Sequence, residues 1–439
     1  MNRREFMKTS SLAAAAATLV PRAFGQTAAN NKVTVGVLGS GARAQELMHL
    51  SMELPGVEII AVCDAYRGRA ERARSLTENK AVIVDDYRKI LDNPGVDAVI
   101  IGTPDHWHRQ MSLDALSAGK DVYIEKPMTF AVDEGLEILS ALKSSSQIYQ
   151  VGSQGMSSAT QEMARKLVAD GRLGQVTMIR ASYNRNTASG AWLYPIPPDA
   201  DERTVNWSRF LGPAPKRPFS LERFFRWRCY WDYSGGIPTD LFVHLVTSIH
   251  FIMGAKMPES VTASGQLYRW KESRDVHDTV NGIMVYPEGF TVNLSSTFNN
   301  QSSSESGFEI LGTEGSIAFR GGRLTFTPEN VYEDNRWVVT SWTEDLAKQY
   351  YDDPKVQALE TPETWKPQMK SHSEIYEEWG KNATLVHLAR FFDSVRTRKP
   401  PVEDALMGHR AAACAHMVNE SIKRGKTVFW DFDKEKMKA

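Results

Sequence analysis

Two patterns of apolar and polar positions divide this chain. Residues 33–38, 57–62, 82–84, 96–101, 122–124 and 148–151 form short apolar runs. Such runs suit strands buried on both faces of a parallel sheet. Stretches with helical spacing lie between them, over 45–52, 66–77, 86–91, 111–118 and 133–143. Regular alternation of strand and helix implies right-handed crossovers and a layered α/β domain over 32–150.

From about residue 151 the pattern changes. Segments 176–183, 261–268, 279–285, 290–298, 307–311, 316–319 and 323–327 alternate apolar and polar residues. Turn clusters such as Pro287-Glu288-Gly289 and Gly312-Thr313-Glu314-Gly315 separate several of them. This predicts a second domain over 151–439, an α+β unit with a mostly antiparallel sheet that has an exposed or oligomerising face. Helices are expected over 160–169, 238–253, 384–395 and 405–423, and a last strand over 427–430. Residues 195–235, rich in Pro, Trp and Arg, are expected to form a long ordered loop; residues 328–380 are polar and give no clear period.

The first apolar run breaks into Gly39-Ser40-Gly41-Ala42-Arg43-Ala44. Gly39 allows a sharp turn, Gly41 lets the backbone approach a pyrophosphate, and Ala44 takes the third glycine's place against the strand. The amides at the start of the following helix then face the phosphates. Asp64 ends the second strand, where an acid accepts hydrogen bonds from ribose hydroxyls. It would repel a 2′-phosphate, which favours NAD over NADP; Arg67 and Arg69 nearby temper that preference.

Composition narrows the partners. With 52 Lys and Arg against 53 Asp and Glu, the net charge of −1 gives no argument for nucleic acid or an anionic membrane. The three cysteines, Cys63, Cys229 and Cys414, are far apart and form no CxxC pair, so neither a zinc site nor a disulfide framework is expected. Residues 1–25 are expected to be a twin-arginine export signal: Arg3-Arg4, then Phe6 and Lys8, then an alanine-rich apolar run and small residues near Ala23 and Gly25. The apolar run is too short for a stable membrane span. The mature protein is therefore expected to be periplasmic or secreted, free of the membrane, and exported already folded with its cofactor.

Three further clusters can carry chemistry. Thr103-Pro104-Asp105-His106-Trp107-His108 follows the fourth strand, on the edge where ligands bind in open α/β sheets, with His108 as a candidate contact. Glu125-Lys126-Pro127 ends the next strand, and Lys126 there can hydrogen-bond a substrate hydroxyl and stabilise a developing alkoxide. Gly235-Gly236-Ile237-Pro238-Thr239-Asp240-Leu241-Phe242-Val243-His244 opens a helix on which Asp240 and His244, four apart, share one face. A carboxylate can orient an imidazole and tune it for acid–base work. The aromatic and basic loop 223–233 suits a sugar ring.

On these residues, together with Leu311-Gly312-Thr313-Glu314-Gly315, the chain resembles the Gfo/Idh/MocA oxidoreductases over about 32–439. The resemblance implies an N-terminal Rossmann domain, a C-terminal domain with a large open sheet, a nicotinamide cofactor between them, and sugar or polyol substrates. It implies Lys126, Asp240 and His244 as catalytic trio, with His244 as base. The cofactor set it implies is Gly39, Ser40, Gly41, Ala42, Arg43, Asp64, Thr103, Pro104, His108, Glu125 and Lys126. Gln154, Tyr183, Arg228 and Trp231 join Asp240 and His244 as expected substrate contacts. One departure is Thr247, where many members carry an acid.

The sequence thus predicts an exported, NAD-dependent oxidoreductase acting on a carbohydrate hydroxyl, as a homodimer or tetramer. Little free NAD is expected outside the cytoplasm, so a redox-neutral reaction on a retained cofactor is the main variant: transfer between two sugars, epimerisation, or glycoside cleavage by oxidation and elimination. A non-catalytic sugar-binding protein is the rival.

Overall fold

The computed structural model describes residues 32–301, 307–329, 334–361, 365, 372–378, 380 and 382–438. The expected export signal lies outside the described residues.

Six strands form the first sheet: β1 (Val33–Leu38), β2 (Val57–Cys63), β3 (Val82–Ile83), β4 (Ala98–Ile101), β5 (Asp121–Ile124) and β6 (Tyr149–Val151). Their order is β3-β2-β1-β4-β5-β6, all parallel. This is the doubly wound dinucleotide-binding order, with its crevice at the carboxyl ends of β1 and β4 where the winding reverses. Val35, Val37, Ala98 and Ile100 point to one face, Leu38, Val99 and Ile101 to the other, and all are fully buried. Continuous apolar runs are what a strand covered on both faces requires. Helices Ala42–Met52 and His108–Ser117 begin earlier than periodicity indicates, because their first turns carry polar or small residues that leave no apolar trace.

Among the described residues the second sheet has ten strands: β7 (Val176–Ser182), β8 (Ser260–Gln266), β9 (Thr279–Val285), β10 (Thr291–Thr297), β11 (Gly307–Gly312), β12 (Gly315–Arg320), β13 (Arg323–Pro328), β14 (Glu374–Glu377), β15 (Val428–Asp431) and β16 (Lys436–Met437). They run in the order β14-β13-β12-β11-β7-β10-β9-β8-β15-β16. Every pairing is antiparallel except β7 with β10. Alternation is strict on β9 and β10, where Val280, Met284, Val292 and Leu294 enter the core and Ile283 and Val285 lie exposed on the far face. Helices Ala159–Ala169, Val243–Met253 and Ala405–Arg424 pack on the inner face.

Two connections depart from simple reading. The segment expected as a loop over 195–235 contains the short helices Trp207–Leu211 and Leu221–Phe225. Their aromatic residues Phe210, Phe224 and Phe225 bury Tyr66 of the first domain, and an isolated bridge joins Tyr66 to Val205. The segment is thereby clamped beside Asp64. The helix Ala383–Thr397, from the far end of the chain, puts Leu388, Phe391, Phe392 and Val395 into the core of the first sheet. The polar stretch near 328–380 includes helices Arg336–Val339, Glu344–Asp352 and Pro354–Leu359.

Burial also sets the response to acid. His106, His250, His387 and His416 are buried among neutral partners: ring nitrogens of His106, His387 and His416 donate to the carbonyls of Phe210, Val151 and Thr129, and His250 hydrogen-bonds Tyr286 Oη. Burial holds them down to about 4, 3, 4 and 4, and holds His244 to about 3. Between about pH 4 and the ordinary histidine value near 6.5 the unfolded chain takes protons that the fold refuses, so stability falls as pH is lowered. Asp105 and Glu403, pushed up to about 8 by burial, act in the opposite sense, since there the folded form carries the extra proton. The histidines outnumber them, and each group is worth about 1.4 kcal/mol per pH unit. The melting temperature, followed by circular dichroism, is expected to drop by about 5 °C or more from pH 6.5 to pH 5; a flat profile over that interval refutes the assignment of neutral buried histidines.

Candidate active site

The carboxyl edge of the first sheet meets the second domain in one cavity of about 480 Å³. Gly39, Gly41, Ala42, Arg43, Asp64, Thr103, Pro104, Glu125 and Lys126 line it from the first domain; Gln154, Arg228, Asp240 and His244 line it from the second.

The glycine turn forms one end. Gly39 sits at φ +78, and a side chain there would collide with Thr103 Cγ2 at 2.6 Å. Gly102, in turn, is closed to a side chain by Ala44 Cβ at 2.8 Å, so Ala44 marks the close helix–strand approach expected of it. Gly41 is different: a Cβ there meets nothing within 4 Å. It faces open cavity at the start of the Ala42–Met52 helix, whose first amides lack intrahelical partners. An anion-sized space against free amides fits a dinucleotide's phosphates.

Asp64 is fixed by two backbone donors. The amide of Ser40 donates to Oδ2 at 2.8 Å and that of Tyr66 to Oδ1 at 2.8 Å. Each oxygen keeps a lone pair for a ribose hydroxyl. Ser40 itself is off the cavity lining: its amide is spent on Asp64, and its hydroxyl is buried without a partner. Arg69 lines the cavity with its guanidinium over Phe225, whereas Arg67 turns away to Glu71. Arg43 lies between the phosphate end and the reactive end. Its Nε donates to Glu125 at 2.8 Å and Nη2 to Gln154 at 3.3 Å.

At the other end, Lys126 Nζ donates to Asp240 Oδ1 at 3.0 Å and to the Asp240 carbonyl at 2.9 Å. Arg228 Nε donates to the same Oδ1 at 3.0 Å. Burial alone would push the Asp240 carboxyl up, but Lys126 and Arg228 overcome it and hold it well below the usual carboxylate range. A segment of five residues, Pro238–Phe242, is wound as a π turn ahead of the Val243–Met253 helix. The sequence expectation that Asp240 orients the His244 ring needs correction: its hydrogen bonds go to Lys126 and Arg228, because two cations at 3.0 Å outcompete a neutral imidazole. Among the described residues His244 has no hydrogen-bond partner, and it lines the cavity as a neutral ring, held down to about 3 by burial and then by the Lys126 cation.

Three other expected contacts stand elsewhere. His108 is buried, its ring nitrogens 2.6 Å from Pro127 O and 3.0 Å from Thr103 O, so it ties the Thr103 and Lys126 loops together behind the cavity. Trp231 packs edge-on to His277, with its amide on Asp275, and Tyr183 packs against the second domain's core. Neither lines the cavity; Trp192, Tyr194 and Trp227 supply its aromatic wall instead. Trp227 lies in the 223–233 loop expected to meet a sugar ring, whereas Trp192 and Tyr194 precede the expected loop and carry no local signal of which way they face. Thr247 donates to the Val243 carbonyl of its own helix at 2.8 Å. Asp105 also lines the cavity; its place inside the Thr103–His108 motif was the available signal.

Known proteins agree with this architecture. A family model described as an oxidoreductase family with an NAD-binding Rossmann fold matches residues 33–153. A model of the GFO/IDH/MocA C-terminal domain matches residues 162–318. The chain is 25% identical over 286 residues to the 1,5-anhydro-D-fructose reductase of Ensifer adhaerens, a match spanning 65% of this chain and 75% of the reductase. It is 25% identical over 292 residues to the scyllo-inositol 2-dehydrogenase (NAD(+)) of Bacillus subtilis, spanning 65% and 73%. The crystal structure of an aldose-aldose oxidoreductase from Caulobacter crescentus shares the fold, with a TM-score of 0.65 at 19% identity over 91% of this chain and 99% of the other. Two consecutive models of one family, together spanning more than half the chain, show that this protein belongs to the GFO/IDH/MocA oxidoreductases and carries an NAD-binding Rossmann domain.

Proposed function

We propose that this protein oxidises or reduces a carbohydrate or polyol at a secondary alcohol, with NAD as its cofactor. The single observation that carries the reading is the meeting of Lys126, from the end of β5, with Asp240 and His244 of the second domain on one cavity with the glycine turn. Both curated relatives are named for sugar or polyol chemistry, which supports the substrate class.

Gly41, Ala42 and Arg43 would hold the pyrophosphate and Asp64 the ribose, and the bound dinucleotide supplies the hydride acceptor. The chain's own residues do the rest. Lys126 donates a hydrogen bond to the substrate oxygen and stabilises negative charge building there. Asp240 holds Lys126 and Arg228 in place. The free nitrogen of neutral His244 accepts the hydroxyl proton. Trp192, Tyr194 and Trp227 wall off the ring of the substrate.

Asp64 makes NAD the expected cofactor over NADP. Dissociation constants from fluorescence titration are expected to favour NAD by at least about tenfold, and Asp64→Asn to narrow that ratio; tighter binding of NADP by the unaltered protein refutes the assignment.

The N-terminal segment supports export and hence a cofactor retained through redox-neutral turnover. Denaturing the purified protein and identifying the released nucleotide tests retention. Incubation with sugars, polyols and glycosides, without added NAD, tests the reaction. Product formed with no net reduced nicotinamide supports redox-neutral turnover; product formed only with added NAD establishes simple dehydrogenation; no conversion in either arm refutes the substrate class.

A further inference from the structure

Asp105 follows Pro104 at the carboxyl end of β4 and lines the same cavity as Lys126, Asp240 and His244. It is 3% exposed; among the described residues no side chain donates to its carboxyl, which takes a backbone hydrogen bond from Gly235. That is unusual beside two cations. Lys126 and Arg228 are both committed to Asp240, so of two neighbouring carboxyls one takes both cations and the other takes neither.

We propose that Asp105 is the group that finally holds the proton released when a bound hydroxyl in this cavity is oxidised. The inference rests on the oxidoreductase reading and adds a proton acceptor to it. In the step, the O–H bond breaks and its electron pair forms the C=O bond. The C–H pair leaves as hydride, for which a bound oxidised dinucleotide would be the two-electron acceptor. The proton passes from His244 to the Asp105 carboxylate, which becomes a carboxylic acid.

The three acidic or basic groups on this wall differ in how well they keep a proton. Asp240 is pinned ionised by Lys126 and Arg228. His244, held down to about 3, can take a proton only in passing. Asp105 is pushed up to about 8, first by burial and then by Asp240, against the opposing pull of Arg228, Lys126 and the Gly235 amide. Its neighbour His106 is neutral and hydrogen-bonded to Phe210 O, so it does not compete. A base whose own affinity lies near the working pH accepts a proton and gives it up again with the least cost.

The test uses the holoprotein labelled with 13C at aspartate carboxyls. Without any substrate, one carboxyl signal is expected to titrate near pH 8 and to be missing from Asp105→Asn. With the sugar or polyol that the panel identifies, initial kcat/KM is expected to rise with pH through the same midpoint. Asp105→Asn is expected to lose that rise and about 10²-fold of rate, with melting temperature and dinucleotide affinity kept, and Asp105→Glu to restore the rise. If Asp105→Asn does not fold, the labelled wild type and Asp105→Glu still decide. Absence of a carboxyl titrating near pH 8, or an unchanged pH profile in the Asn variant, overturns the proposal. A wild type that converts nothing in the panel defeats the substrate reading instead, and leaves the carboxyl titration to be judged alone.

Discussion

Lys126→Met is expected to lower kcat by about 10³-fold while leaving the protein folded. The magnitude is that of removing one donor aimed at a developing oxyanion. The fold survives because the carboxylate left behind is not orphaned: Arg228 still donates to Asp240 Oδ1. A buried ion pair broken without such a second partner would destabilise strongly. Steady-state rates on an identified substrate, with melting temperature and released nucleotide measured alongside, check the result. A variant that loses its nucleotide, or melts far below the wild type, assigns Lys126 to architecture; one that keeps full turnover removes it from the reaction.

Gly41→Val is expected to abolish dinucleotide binding with almost no effect on the empty fold. A Cβ added at Gly41 meets no protein atom within 4 Å, so the branch point of the new side chain enters open space. It occupies the space in front of the first helical amides, where a pyrophosphate has to sit. The expected loss of affinity is about 10²-fold or more by calorimetric titration, with the melting temperature of nucleotide-free protein shifted by less than about 2 °C. Gly39→Val is the contrasting control, since its Cβ strikes Thr103 and its φ is positive; it is expected to lower stability as well. Equal affinity in Gly41→Val and wild type excludes this turn as the phosphate site.

The first sheet was legible from its apolar runs because a strand covered on both faces leaves an uninterrupted signal, as in β1 and β4. So was the glycine turn, whose three small residues each answer a local steric demand at Gly39, Gly41 and Ala44. Pairings between distant segments were not. That Trp227 would face the cavity depends on how 195–235 folds onto Tyr66, and no period in the sequence encodes that. The role of Asp240 was visible as a residue and misread as a contact. Helical spacing alone put it on His244, but spacing cannot register cations arriving from Glu125-Lys126-Pro127 and from Arg228. His108 was misplaced for the same reason: a motif fixes a position on an edge, and burial decides whether the ring looks out or in.

The helix Ala383–Thr397 has a practical consequence. By roofing the first sheet with Leu388, Phe391, Phe392 and Val395, it laces the dinucleotide half to the rest of the molecule at a second crossing of the chain. A fragment ending near residue 150 would expose that apolar roof site to water and aggregate, so the nucleotide-binding half is not a portable module. The same lacing resists wide separation of the halves.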